Sequence, residues 1–206
     1  MHTAPNGLPV LVWHLDPPRR SCASTVVGGG IGVRRWVLNV QVEDGQHHAD
    51  PVLYVAELAA ALGCHGEGVG FLTAAPVTSW TGGHSGGVDA VATVGLSHPT
   101  WAAAADEPSS VGVGTINVVG FVPSPLSPAA LVNAAMTATE AKTQALVEHG
   151  VAGTGTPTDA VCVLTPVEGT ADPFGGPRSR LGADLARAVH AAVATGLSAP
   201  EAERRS

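Results

Sequence analysis

The sequence predicts an α/β fold, a single domain in which a mixed β-sheet is layered with α-helices. Three observations carry this. Short apolar, β-branched runs bounded by glycine and proline recur at residues 8–15, 35–42, 68–75, 88–96, 115–122 and 160–164. Helical spacing of apolar residues marks 51–62, 128–150 and 181–195. Strands predominate in the first half and alternate with helices in the second, the pattern of a mixed sheet covered by helices. A chain of 206 residues is one domain by default and buries a core without disulfide or metal staples. We place that domain at 8–197, with 1–7 and 198–206 as flexible termini. Strand order does not follow from the sequence.

Taken in order, the first run stops at Asp16-Pro17-Pro18, because proline cannot donate to a ladder. The cluster Gly28-Gly29-Gly30-Ile31-Gly32 lacks GxGxxG spacing and no helical pattern follows it, so it is not a dinucleotide loop. In the 35–42 strand Asn39 interrupts the apolar side, either as a bonded core amide or as a group facing a cleft. Asp50-Pro51 opens the first helix, Asp as cap and Pro at the first helical position. Gly83-His84-Ser85-Gly86-Gly87 matches GxSxG, but a strand-like run follows it where a nucleophile elbow needs a helix. A hairpin tip is the better reading. Ser127-Pro128 starts a second helix of strong helix formers that ends at Gly150. On its wheel Val132, Met136, Leu146 and Val147 share one arc, and Asn133, Thr137, Glu140 and Gln144 form a polar stripe beside it. Lys142 lies roughly opposite that stripe, so Glu140 and Lys142 do not touch along the helix.

Composition narrows the function. Charged residues are 13% and hydrophobic ones 45%, and the formal charge of −7 argues against nucleic-acid binding. Cys22, Cys64 and Cys162 are odd in number and lack CxxC spacing, as in reduced thiols of a cytoplasmic protein. The N-terminus has no signal-peptide pattern, and no apolar run approaches a membrane span of ~18–20 residues. The nine histidines, including the adjacent His47-His48, show no metal-ligand spacing, so no metal is expected.

Residues 114–163 hold the candidate chemistry. Of the ten Lys and Arg residues only Lys142 is a lysine. Ammonium is compact and guanidinium is a wide planar fork, so this choice points to a confined site. The loop Gly153-Thr154-Gly155-Thr156-Pro157-Thr158-Asp159 offers backbone N–H groups, hydroxyls and a carboxylate before the next strand. Asp159 is either a base or a turn residue bonding its own backbone.

Several blocks resemble the adenosylcobinamide amidohydrolases. They are Thr115-Ile116-Asn117, Pro125-Leu126-Ser127-Pro128-Ala129-Ala130-Leu131-Val132-Asn133-Ala134, Ala138-Thr139-Glu140-Ala141-Lys142-Thr143-Gln144-Ala145-Leu146 and Thr154-Gly155-Thr156-Pro157-Thr158-Asp159. Weaker matches at Leu38-Asn39-Val40, Gly70-Phe71-Leu72-Thr73 and Thr93-Val94-Gly95-Leu96-Ser97 extend the resemblance over about 36–194. His98 and Pro157 depart from the family pattern. The resemblance implies a hydrolase that cleaves the amide of adenosylcobinamide into adenosylcobyric acid and 1-amino-2-propanol, a salvage step toward cobalamin. Its partner would be a corrinoid small molecule, with cobalt present only in that substrate and no resident cofactor. A homo-oligomer is possible.

An amide hydrolase needs an activated nucleophile, oxyanion donors and an acid for the departing amine. Lys142, Glu140 and Asp159 are the catalytic candidates. Asn39, Thr73, Asn117, Asn133, Thr154, Gly155 and Thr156 are the substrate-binding candidates. Two other classes compete: a corrinoid- or nucleotide-binding protein without catalysis, and a serine hydrolase acting through Ser85.

Overall fold

The apolar runs become strands of one mixed eight-stranded sheet in the computed structural model, which describes residues 1–43, 50–105 and 114–199. In chain order the elements are β1 His2–Thr3, β2 Pro9–Ala23, β3 Gly30–Gln41, α1 Pro51–Ala61, β4 Gly68–Thr73 and a 3-10 turn at Val77–Ser79. They continue with β5 Thr81–Ser85, β6 Val88–Val94, β7 Ile116–Phe121, α2 Pro128–Glu148, β8 Ala160–Pro166 and α3 Arg180–Ser198. The sheet order is β4-β3-β2-β8-β7-β6-β5, with β1 paired to β2. Only β3/β4 and β7/β8 are parallel, and each of these pairs is joined by a helix, α1 and α2, as parallel neighbours require.

Two expectations need correction. β2 does not stop at Asp16-Pro17-Pro18. The ladder to β3 shifts register between His14 and Arg19, which takes the two prolines out of the donor positions, and pairing then resumes to Ala23. Its second half also pairs with β8. The N-terminus is not a flexible 1–7 segment either: His2 and Thr3 pair with Val10 and Pro9, and Ala4 is buried against the β2–β3 core. Residues 200–206 of the expected C-terminal tail lie outside the described residues.

Strand alternation sorts the side chains onto three cores. Ile116, Val118, Val161 and Val163 face α2 and α3, meeting Leu131, Leu146, Leu185 and Val189. Trp36, Leu38 and Val40 face α1, meeting Val55 and Leu58. The third core is an interior. Val37, Val69 and Phe71 of β3 and β4 meet Val119, Cys162 and Leu164 of β7 and β8, strands that are not neighbours in the sheet. The open sheet therefore curls over on itself, and the layers run helix, sheet, sheet, helix.

Two of the three caps, Asp50 and Ser127, are those the sequence predicts, and Ser179 adds a third. Asp50 accepts from Leu53 N, Ser127 from Ala130 N and Ser179 from Gly182 N. The buried face of α2 is the alanine face, Ala130, Ala134, Ala138, Ala141 and Ala145, together with Leu131, Leu146 and Lys142. Of the wheel arc, Val132, Met136 and Val147 instead point outward. Small side chains let α3 and the sheet approach the helix closely, and this outweighs the size of the hydrophobic residues on the other arc.

Candidate active site

The interior core turns polar at the end where β3, β4 and β6 finish and β7 and β8 begin. Asn39, Asn117 and Thr93 continue the inward-facing positions of Val37, Val119 and Val91, and alternation alone puts them inside. Asn117 Nδ2 donates to Asn39 Oδ1 at 3.0 Å and to Leu72 O at 3.3 Å, and Asn39 Nδ2 donates to Thr93 Oγ1 at 3.0 Å. None of the three is more than 3% exposed. Thr73, also buried, uses its hydroxyl oxygen to accept from Ala75 N at 3.0 Å. Two amides and a hydroxyl are tolerated at the end of an apolar core because they bond one another.

The second half of the site is the 153–159 loop, one residue outside this cluster: Asn117 registers with Ala160, and Ile116 N donates to Asp159 Oδ1 at 2.8 Å. Asp159 Oδ1 also receives Thr156 Oγ1 at 2.5 Å, while Oδ2 receives Thr156 N at 3.1 Å and the Lys142 ammonium. The Lys142 and Asp159 side chains are 5% and 12% exposed. Ile116 N, Thr156 N and the Lys142 ammonium take three of the roughly four acceptor positions of the carboxylate, and the one Thr156 hydroxyl proton is shared between the fourth and Gly114 O. The geometry makes Asp159 the clasp of the loop. A Cβ on Gly155 would strike both Asp159 Oδ2 and Lys142 Nζ, so glycine is what lets the ion pair form beneath the loop.

The loop is sewn down along its length. Thr143 Oγ1 donates to Thr154 O at 3.0 Å, Thr154 Oγ1 accepts from Ala102 N at 2.9 Å, and Thr100 N donates to Gly155 O at 2.8 Å. Gly114 O lies 2.5 Å from Thr156 Oγ1 and 3.1 Å from Thr158 Oγ1. The structure thus brings together Lys142, Asp159, Thr154, Gly155 and Thr156, with Asn39, Thr73 and Asn117 adjoining. It does not bring Glu140 or Asn133, which stand exposed on the outer side of α2. Thr93 was not among the expected site residues, although the 88–94 alternation puts it on the inward face opposite Ala92 and Val94.

The remaining motifs resolve locally. Ser85 ends β5 at a two-glycine hairpin turn, with no helix after it. Its hydroxyl donates to Asp184 Oδ1 at 2.8 Å and accepts from Arg187 Nε at 3.0 Å, pinning the hairpin to α3. The Ser85 hydrogen bond, then Arg187, holds the Asp184 carboxyl below its ordinary range. Replacing Ser85 by alanine should lower stability by about 1 kcal/mol and leave turnover unchanged; a melting curve beside an activity assay checks both. All three cysteines are free, and burial pushes the Cys162 thiol far up, which leaves it unreactive. Among the described residues no group of three or more His, Cys, Asp or Glu could hold a metal ion; His47 and His48 lie outside them.

Fold and site together define a single-domain α/β protein whose interior ends in a buried cluster of amides and hydroxyls beside the loop clasped by Lys142 and Asp159. The family model described as adenosylcobinamide amidohydrolase matches residues 2–205, and the chain belongs to that family. No curated protein matches it. No helix among the described residues is long and apolar enough to cross a membrane.

Proposed function

We propose that this chain hydrolyses adenosylcobinamide at the amide joining the corrinoid propionate to aminopropanol, giving adenosylcobyric acid and 1-amino-2-propanol for corrinoid salvage. The observation that carries this reading is the family match over 2–205, nearly the whole chain. The residues are consistent with it. Asn39, Thr73 and Asn117, joined by Thr93, are groups that pair with carboxamides, and the corrinoid periphery carries several. In the Thr154-Gly155-Thr156 segment, Thr156 N and Oγ1 serve Asp159 and Thr154 N serves Thr100 O, which leaves the Gly155 N–H as the donor we assign to a developing oxyanion. Lys142 and Asp159 position that loop, and the Lys142 ammonium adds positive charge beneath it. Glu140 and Asn133, exposed on α2, are left out of this assignment.

The test is incubation of purified protein with adenosylcobinamide, followed by chromatography. Accumulation of adenosylcobyric acid over many turnovers is expected, with cobalt entering only in the substrate. Retention of intact adenosylcobinamide in one-to-one amount would mark a corrinoid-binding protein without catalysis.

A further inference from the structure

We propose that the Ser97-His98 turn is a substrate-binding element, in which His98 Nδ1 pairs with a carboxamide of the corrinoid. This rests on the hydrolase reading above. His98 Nδ1 is buried and has no hydrogen-bond partner among the described residues. Buried polar atoms are nearly always satisfied, so a ring nitrogen left without a partner among the described residues calls for one, and a bound ligand would supply it. The backbone N–H groups of Ser97 and His98 likewise meet no acceptor among the described residues.

The position of the turn matches the site. Gly95 N donates to Thr115 O at 2.9 Å at one side of the turn. At the other, Thr100 N donates to Gly155 O at 2.8 Å and Thr100 O accepts from Thr154 N at 2.9 Å. The turn is therefore held between the start of β7, which carries Asn117, and the loop clasped by Lys142 and Asp159. The backbone nitrogens of Ser97 and His98 both lie 3.1 Å from where a Cβ on Gly114 would sit, and the Gly114 carbonyl anchors Thr156 and Thr158. A primary carboxamide supplies what this turn lacks: a carbonyl oxygen for the backbone donors and an N–H for the ring nitrogen in its acceptor tautomer.

Steady-state kinetics with adenosylcobinamide test this. His98→Leu and His98→Gln should lower kcat/KM roughly tenfold to a hundredfold, the loss from leaving a buried partner unpaired. His98→Asn places its amide at the position of Nδ1, whereas Gln reaches only that of Nε2, so the Asn variant should stay close to wild type. His98→Leu should melt no lower than wild type, because Nδ1 has no partner to lose among the described residues. Unchanged turnover by the Leu variant, a clear drop in its melting temperature, or its failure to fold would overturn the proposal. If the wild type itself turns over no adenosylcobinamide, the hydrolase reading fails instead. Nitrogen NMR of His98 with and without cobinamide then decides the binding claim, with a shift of Nδ1 supporting it and an unmoved signal refuting it.

Discussion

Asp159→Asn should melt roughly 6–20 °C lower than wild type and lose nearly all activity. The substitution keeps the shape but removes the only counter-charge that the Lys142 ammonium, 5% exposed at its side chain, has among the described residues. Removing one partner of a buried pair costs about 3–5 kcal/mol because the other charge stays buried and uncompensated. For a chain of this length each kcal/mol moves the melting temperature by about 2–4 °C. The asparagine NH2 would also face a donor, either Thr156 N or the Ile116 amide. Lys142→Met should be milder, since Asp159 keeps three donors, Ile116 N and both Thr156 groups. The double variant should therefore be more stable than Asp159→Asn alone. Melting curves on the four proteins measure that coupling, and simple additivity would show that the two side chains do not act as a pair.

Asn117→Leu should abolish turnover and lower stability by about 1–3 kcal/mol, because Asn39 Oδ1 and Leu72 O both lose their donor. The informative comparison is the double variant Asn39→Leu/Asn117→Leu. Replacing both partners of a buried hydrogen bond by apolar groups is often nearly neutral, and the interior core of Val37, Phe71 and Val119 adjoins the site. Stability should then recover while activity stays lost. Recovery of both would mean that the amide cluster serves only the fold.

Much of the architecture is legible because its signals are local. Asp50-Pro51 and Ser127-Pro128 mark helix starts through capping and proline geometry, and the strands are short apolar, β-branched runs bounded by glycine and proline. Lys142 is singled out by being the only lysine, and Asp159 by its place before a strand. Their pairing is not legible, because a helical wheel relates Lys142 only to its own helix. Its partner arrives 17 residues later on a returning loop. The wheel also misleads on Val132 and Met136, since close packing selects the alanine face. Hardest to foresee is the Asn39–Asn117 contact, 78 residues apart and between strands that are not neighbours in the sheet. It depends on how far the sheet curls, a sum of small strand twists that no short segment encodes.

The central claim is hydrolysis of an amide at this buried polar end, and turnover in water labelled with oxygen-18 tests it most directly. Water adds its oxygen to the acyl carbon and its protons to the departing amine. Mass spectrometry of the products should find one oxygen-18 in the carboxylate of adenosylcobyric acid, none in 1-amino-2-propanol, and no labelled product with Asn117→Leu. Intact, unlabelled adenosylcobinamide after prolonged incubation with the wild type, or label incorporated equally by the Asn117→Leu variant, would contradict the account.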